Sequence, residues 1–226
     1  MIVLNEESIV KEIVNEYPRT SDIFKRYQID FCCGGNNSLL HAVENKAISL
    51  EQLMSELHES VQNEQNKLDQ PDIWTNSSSE QLIQHIQEYY HAELKEELPA
   101  LSPYVTKVSR VHGERKPELL RVNELFYALK KELLEHTEKE EQEVFPILIQ
   151  LEQDQANPAD QLQSLMEEHR EVGQILAELR SVTSNFTPPH DACGTYRLVY
   201  KRLERLEEQT FMHIHLENNI LFPRYS

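Results

Sequence analysis

Two stretches of the sequence repeat the same residue types at the same spacing. "HTEKEEQEVFP" and "HIHLENNILFP" both read H-x3-E-x4-F-P. The repeated residues are His136, Glu140, Phe145 and Pro146 in the first copy, and His213, Glu217, Phe222 and Pro223 in the second. On an α-helix, residues four apart lie about 6 Å along the axis and about 40° around it, so each His and Glu reach the same point. Imidazole and carboxylate are both metal ligands, and the repeat therefore predicts a metal site.

Each copy of the repeat is preceded by a further histidine. His91 in "EYYHAELKEEL" precedes His136 by almost the same number of residues as His169 in "MEEHREVGQIL" precedes His213. The chain thus reads as two helical hairpins, each with one histidine on its first helix and His-x3-Glu on its second. Packed face to face, the hairpins would place four histidines and two carboxylates in one core. This mixed set favours two ions bridged by the glutamates and terminated by the histidines, with iron preferred and manganese or zinc left open.

Other polar residues near the repeats are not predicted to be ligands. A single His-x3-Glu pair is more often solvated than ligating, and it is the matched copies that favour metal. His215 points about 200° away from His213, so we expect it on the surface or in an outer shell. His112, at a helix end, is expected to be a cap or outer-shell group, and Glu141, five residues after His136, is expected on the solvent side. The remaining histidines have no repeat partner and are expected to be structural: His41, His58, His85 and His190.

Helices must position these residues. Helix formers are abundant, only 5 of the 226 residues are Gly, and apolar positions recur every three or four residues, which predicts an all-α fold. Four long helices are predicted, from about residue 79 to 111, from 117 past 145, from 161 to 184 and from 192 to 222. Short connections between them indicate an up-and-down four-helix bundle.

The residues ahead of the bundle predict four short helices, in "EESIVKEIVNEY", "PRTSDIFKRY", "NSLLHAVENK" and "SLEQLMSELHESV". The next stretch, "NKLDQPDIWTNSSS", loses the apolar periodicity and gains polar and turn residues. We therefore predict a small N-terminal helical domain over residues 1–65, a linker over 66–78 and the bundle over 79–226.

Two of the three cysteines are adjacent, Cys32 and Cys33 in "DFCCGG". Neighbouring Cα atoms lie about 3.8 Å apart, below the span of about 4.4 to 6.8 Å that is usual for a disulfide, so we expect reduced thiols. Two interpretations remain open. Either these thiols take part in the chemistry as candidate catalytic residues that handle iron or electrons, or they are buried beside a tight turn made by Gly34 and Gly35.

The charge balance limits the classes of partner that the chain can bind. The chain has 22 Lys and Arg residues against 39 Asp and Glu residues, which gives a net charge of -17. Such a chain repels a phosphate backbone and attracts cations, so no nucleic-acid partner is expected. The start "MIVLNEESIV" lacks a basic region, and no apolar run approaches the roughly 20 residues of a membrane span. We expect a cytoplasmic protein with no membrane partner.

Taken together, "IDFCCGG", "RVHG", the two H-x3-E-x4-F-P copies and "PPHDACGTYRLVY" resemble the Repair of Iron Centres family, the ScdA/YtfE type of di-iron protein, over nearly the whole chain. The resemblance implies a ScdA-type N-terminal domain containing CCGG, then a hemerythrin-like four-helix bundle. It implies a non-haem di-iron centre, two iron ions with oxo and carboxylate bridges, that helps repair iron-sulfur clusters after nitrosative or oxidative damage. The ligands carried over are His91, His136, Glu140, His169, His213 and Glu217.

The resemblance also gives Cys32 and Cys33 a part in repair or iron transfer, and it suggests a homodimer. The implied partners are damaged iron-sulfur cluster proteins, with O2, NO or peroxide as small ligands. We expect a repair or iron-donor protein rather than a classified enzyme, and leave open whether iron or electrons are transferred.

Three other classes of protein fit parts of the sequence. A hemerythrin-like protein that binds oxygen or nitric oxide, or senses redox state, is the alternative function, although it leaves CCGG unexplained. A ferritin-like oxidase would normally carry Glu-x-x-His pairs instead. A metal-free helical module would leave six polar groups unpaired in its core.

Overall fold

The computed structural model describes residues 4–44, 46–65, 73–151 and 158–225. Within these ranges the regular elements are helices, and the β-type pairing consists of one isolated bridge between Ile9 and Ser38. The all-α prediction is confirmed. In the same ranges, none of the helices combines the length and apolar character needed to cross a membrane. Residues 66–72 of the predicted linker lie outside the described residues.

Contacts between Cα atoms divide the chain into two compact units. The first contains the N-terminal helices through Ser78 together with Ile214–Arg224, and the second contains Ser79–His213. The last helix of the chain therefore contributes residues to both units. The domain bounds predicted from the sequence, 1–65 and 79–226, remain a prediction.

Through Ser78, the described residues of the first unit form five helices. They are α1 (Val10–Glu16), α2 (Thr20–Arg26), α3 (Leu39–Val43), α4 (Leu50–Gln65) and the short α5 (Ile73–Asn76). The first three lie within predicted segments, and α4 begins in the fourth predicted segment and extends beyond it to Gln65. Ser38 caps α3 because its side chain accepts a hydrogen bond from the backbone N–H of His41 at 3.3 Å. Along α4, Leu53, Leu57 and Val61 repeat every four residues and are buried, which gives this helix its core-facing side.

Four long helices, named bundle helices A to D, make up the bundle. A consists of α6 (Ser79–His85), a π turn (Ile86–His91) and α7 (Ala92–His112); B of α8 (Glu118–Lys139), a π turn (Glu140–Val144) and α9 (Phe145–Leu151); C of α10 (Ala159–Val182); and D of α11 (Gly194–Leu216), a π turn (Glu217–Leu221) and a 3-10 turn (Phe222–Tyr225). The four long helices predicted from the sequence are thus confirmed, with ends that differ by a few residues.

Consecutive bundle helices pack side by side. Helix A packs on B, and B packs on C. Ion pairs also join neighbours: Arg121–Glu178 from B to C, Arg180–Glu207 from C to D, and Arg202–Glu97 from D to A. Because A contacts both B and D, the four helices close around a common core. That core is lined by Leu98, Leu101, Phe126, Leu129, Leu165, Leu176 and Leu203.

Three of the bundle helices contain a π turn, in which a backbone N–H donates to the carbonyl five residues earlier. The donor and acceptor pairs are Ala92 to Gln87, Phe145 to Glu140 and Phe222 to Glu217. Each π turn begins or ends at a predicted ligand, namely His91, Glu140 or Glu217. Such turns hold one extra residue and occur often at functional sites.

Candidate metal centre

Four buried histidines, each from a different bundle helix, meet in two pairs. The Nε2 atoms of His91 and His213 are 3.0 Å apart, and those of His136 and His169 are 2.9 Å apart. Two nitrogens bound at right angles to one ion, with bonds of about 2.1 Å, would lie about 3.0 Å from each other. The spacing of each pair therefore fits two ligands of a shared ion.

Glu140 lies beside both histidine pairs and is fully buried, with 0% of its surface exposed. Its Oε2 is 3.4 Å from Nε2 of His91 and its Oε1 is 3.3 Å from Nε2 of His136. Neither oxygen makes a hydrogen bond within the described part of the chain. A buried carboxylate without hydrogen bonds is costly unless a charge partner compensates it, so this environment fits a bound cation.

The protonation of Glu140 follows from two opposing causes. Burial by itself raises the pKa of Glu140, but the neighbouring charges of His136 and His91 outweigh it and hold this pKa well below its usual range. Glu140 is therefore a carboxylate, the form that binds a metal ion.

Glu217 is the second buried carboxylate of the centre. It follows His213 by one turn in bundle helix D, and the helix continues between them because Leu216 keeps helical backbone angles (φ -60, ψ -38). The possible ligand atoms form two sets, each within 4.8 Å: His91, Glu140, His213 and Glu217, and His136, Glu140, His169 and Glu217. Both carboxylates belong to both sets, and each histidine belongs to one. All six predicted ligands are thus brought together, while their ligation remains a prediction.

Two further carboxylates fix the orientation of the imidazole rings. Glu141 accepts a hydrogen bond from Nδ1 of His91 at 2.9 Å, and Glu168 accepts one from Nδ1 of His136 at 2.7 Å. When Nδ1 carries the proton, Nε2 presents its lone pair to the centre. Carboxylate partners of this kind set the tautomer of metal-binding histidines and raise their basicity.

The prediction that Glu141 lies on the solvent side is incomplete, because the residue is partly exposed but also contacts a ligand candidate. Its side chain is 25% exposed, and it binds both His91 and Lys95 of bundle helix A. The prediction considered rotation about one ideal helix only. The π turn that starts at Glu140 changes that rotation, and the partner of Glu141 is supplied by a different helix.

Glu168 was missed by sequence reasoning. Its hydrogen bond with His136 is the main cause that lowers the pKa of Glu168 to about 2, and Lys139 also pairs with it. One signal was available: Glu168 is adjacent in sequence to the ligand candidate His169, just as Glu141 is adjacent to Glu140.

Aromatic rings cover the histidines. The ring of His91 stacks on Phe145 with centroids 5.8 Å apart, and the ring of His213 stacks on Tyr90 at the same separation. Phe145 is the phenylalanine of the first repeat copy. Its position, nine residues after His136, places its ring against His91. Buried rings at this position keep water away from the imidazoles.

A separate group of polar side chains, the thiol cluster, consists of Asp30, Cys32 and Cys33 in the first unit. Oδ1 of Asp30 accepts hydrogen bonds from the backbone N–H of Cys32 (3.0 Å) and of Cys33 (2.9 Å). Both cysteines are free, as predicted, and their Sγ atoms are 3.8 Å apart. A hydrogen bond with Cys33 and burial raise the pKa of Cys32 well above its usual value, so without a metal ion it is a thiol.

The turn expected at the two glycines is present. A Cβ atom on Gly35 would lie 2.4 Å from the carbonyl oxygen of Phe31 and 2.8 Å from Cβ of Lys11. A side chain does not fit there, so this position requires glycine. The turn accounts for Gly35, and it makes no use of the two sulfur atoms.

His215 holds the loop that carries the thiol cluster. It is 1% exposed, which excludes the surface position, one of the two positions expected for it, and its Nδ1 donates to the carbonyl of Phe31 at 3.2 Å. Burial lowers the pKa of His215 to about 4, so the ring is neutral. His112 ends α7, where its Nε2 lies 3.5 Å from Sγ of the exposed Cys193, and it belongs to neither ligand set.

Comparison with known proteins finds a matching family for each of the two parts of the chain. Residues 6–61 match a family described as "Domain of Unknown function (DUF542)", ScdA_N, and residues 81–225 match "Hemerythrin HHE cation binding domain". The iron-sulfur cluster repair protein ScdA of Staphylococcus haemolyticus is 42% identical over 99% of this chain and 100% of its own length. The iron-sulfur cluster repair protein YtfE is 36% identical in Cronobacter sakazakii (94% of this chain, 93% of that protein) and 35% identical in Escherichia coli O157:H7 (94% of each).

These matches cover nearly all of the chain, and the hemerythrin match contains every histidine and glutamate of the two ligand sets. A cation-binding bundle and a buried group of imidazoles and carboxylates agree with iron binding. The chain belongs to the ScdA/YtfE family, in which a small helical ScdA-type domain precedes a hemerythrin-like cation-binding bundle.

Proposed function

We propose that this chain is a di-iron protein that takes part in the repair of iron-sulfur clusters damaged by nitrosative and oxidative stress. One observation carries the proposal: a buried centre of four imidazoles and two carboxylates lies in a chain that matches iron-sulfur cluster repair proteins over nearly its full length. The relatives' names support the process, and the geometry of the six side chains supports an iron site at this centre.

The donor set supports two iron ions per chain. Each ligand set has its own histidine pair, and both sets share Glu140 and Glu217. We assign the glutamates as bridges and the histidines as terminal ligands, with an oxo bridge completing the pair. Nitrogen and oxygen donors of this type suit iron. Bound iron would supply the redox chemistry and an open position for O2, NO or peroxide.

The residues around the ligands keep the centre ready to bind. Glu141 and Glu168 hold the Nδ1 protons of His91 and His136, so that Nε2 faces inward. Lys95 donates to Glu141 at 2.6 Å and keeps that carboxylate charged and in place. Because the centre is buried under aromatic rings, water competes poorly with the iron ligands.

Cys32 and Cys33 are proposed to act as thiols in the repair, as acceptors of iron or of electrons. Their free sulfur atoms and the partial exposure of Cys33 support this role. Damaged iron-sulfur proteins are the proposed partners, a homodimer is the proposed assembly, and the cytoplasm, where thiols stay reduced, is the proposed location. Nucleic acid and membranes are not proposed as partners.

A reactivation assay tests the proposal. A dehydratase whose cluster has been damaged by nitric oxide is incubated with the iron-loaded chain, and recovery of its activity is followed. We expect recovery with the intact chain and with Glu143→Ala, an exposed neighbour on the same π turn, but not with Glu140→Ala. A protein that cycles oxygen or nitric oxide without restoring the dehydratase would instead be a carrier or a sensor.

A further inference from the structure

The thiol cluster has the composition of a metal site, and the buried centre does not use it. One ligand atom from each of Asp30, Cys32 and Cys33 lies within 4.8 Å of the others. All three residues lie in the first unit, and none belongs to the two sets of histidines and glutamates.

The spacing of the sulfur atoms fits a shared ion. Two thiolates bound to one tetrahedral ion, with bonds of about 2.3 Å, lie about 3.8 Å apart, and the two Sγ atoms are separated by 3.8 Å. A carboxylate oxygen on the same ion would lie about 3.6 Å from each sulfur, and Oδ1 of Asp30 is 3.3 Å from Sγ of Cys32. The two printed separations are close to those of ligands on one ion, and all three ligand atoms lie within 4.8 Å of one another.

The loop is held in this form by contacts on several sides. Asp30 accepts the backbone N–H groups of both cysteines, His215 donates to the carbonyl of Phe31, and Asn219 donates to the carbonyl of Cys32 at 3.0 Å. An ion would therefore meet ligands that are already positioned, which favours binding.

Asn218 adds a contact to the sulfur itself. Its Nδ2 lies 3.8 Å from Sγ of Cys33 and points a donor at that atom. A donor beside a sulfur stabilises the thiolate, and outer contacts of this kind tune metal affinity. A simple turn would need the aspartate and the glycine, but it would need neither two sulfur atoms at this spacing nor the asparagine that contacts one of them.

We propose that Asp30, Cys32 and Cys33 form a second metal site, which binds one thiophilic divalent cation such as Fe2+ or Zn2+. Binding replaces the two thiol protons, which pass to solvent, by two metal–sulfur bonds, and no electron is transferred. The carboxylate is the third ligand and the fourth position is open. Asp30 is exposed and Cys33 is half-buried, so the ion enters from solvent.

The use of this site to hold iron outside the buried centre rests on the proposed function, whereas cation binding itself does not. Two thiolates suit iron that is on its way to a cluster, because cluster iron is itself bound by sulfur. Iron held at this site would be substrate in transit rather than a resident cofactor.

Cobalt titration of the full, iron-loaded chain tests the site. Co2+ bound to thiolates gives a sulfur-to-metal charge-transfer absorption, which Co2+ bound to histidine and glutamate does not give. We expect one such ion per chain, displaced by Zn2+, and loss of the band in Cys33→Ser and in the double variant Cys32→Ser and Cys33→Ser. Cys193→Ser, which removes the exposed third cysteine, should leave the band unchanged.

Asp30→Asn isolates the carboxylate, because asparagine keeps an oxygen that accepts the two backbone N–H groups and thus preserves the loop. We expect this variant to bind Co2+ at least about tenfold more weakly, and Asn218→Ala to weaken binding by about tenfold. Absence of the band in the intact chain, its survival in the double serine variant, or an unchanged affinity in Asp30→Asn would overturn the site. A chain that repairs clusters but fails to bind Co2+ overturns this inference alone, and one that binds Co2+ but fails in repair overturns only the proposed function.

Discussion

The buried metal centre and the metal site proposed at the thiol cluster would hold a cation by opposite strategies. The centre takes six side chains from four helices, all buried, with nitrogen and oxygen donors. The cluster takes three side chains from four consecutive residues of one loop, partly exposed, with two sulfur donors. The difference shows that a distributed site depends on the whole bundle, whereas a local site depends mainly on its own turn.

This contrast has an energetic consequence. A ligand that binds only the folded state adds stability, and a site assembled from four helices exists only when those helices are packed. Without metal, the same site leaves the carboxylate of Glu140 fully buried, with ion pairs to His91 and His136 as the compensation for its charge. A site formed by residues of one short loop does not require the four bundle helices to be packed. We therefore expect metal removal or substitution at the buried centre to change the stability and iron content of the bundle more than substitution at the thiol cluster.

Removal of the metal should have the largest effect. We expect close to two irons per chain by elemental analysis, and a fall in the melting temperature of about 10 °C after chelation, because a tightly bound ligand adds about 4 kcal/mol. Calorimetry before and after chelation measures it. Stoichiometric zinc without iron, or an unchanged melting temperature, would contradict the distributed centre.

Glu140→Ala should have the second largest effect. We expect this variant to lose most of its iron, because both ligand sets share this carboxylate. Iron content after purification gives the readout. The matched control is Glu143→Ala, which removes an exposed carboxylate from the same π turn and should retain full iron. Equal losses in the two variants would show that the register of bundle helix B is incorrect.

Glu141→Ala should have an intermediate effect, since it removes only the hydrogen-bond partner of His91. Outer partners of metal-binding histidines typically contribute 10- to 100-fold in affinity, and we expect a weakening of about that size. Competition with a chelator of known affinity measures it, with Glu143→Ala again as control. If Glu141→Ala binds iron as tightly as the intact chain does, Glu141 is a solvated residue that does not support His91.

The low pKa of Glu168, about 2, predicts a smaller, pH-dependent effect. Because this pKa lies below that of an unfolded glutamate, the carboxylate stabilises the fold above about pH 4.5, and the contribution is lost as the pH falls toward 2. In chelated protein, the urea midpoint should fall less between pH 5 and 3 for Glu168→Gln than for the intact chain. Parallel pH profiles would argue against the His136 contact.

The double variant Cys32→Ser and Cys33→Ser should have no effect on the iron of the bundle. The iron count and the di-iron spectrum are expected to remain, while dehydratase reactivation falls. Loss of iron in this variant would mean that the two sites are not independent. Full reactivation would leave the thiols without a role in repair.

The sequence was most informative where one helix determines geometry. His136 with Glu140, and His213 with Glu217, were predictable because four residues make about one helical turn. Glu141 and Glu168 were not, since their partners lie on other helices. The burial of His215 also escaped prediction, because its contact with Phe31 joins residues that are far apart along the chain. The need for glycine at position 35 was predictable because a tight turn is a local feature.

The π turns bear on the history of the chain. Those at Glu140–Val144 and Glu217–Leu221 occupy the same place in the two copies of the repeat, directly after the matching His-x3 segments. A π turn arises when one residue is inserted into an α-helix. One insertion in an ancestral hairpin, followed by duplication, explains both turns with fewer events than two separate insertions. The turn at Ile86–His91 has no counterpart in α10, so the first helices of the two hairpins differ at this point.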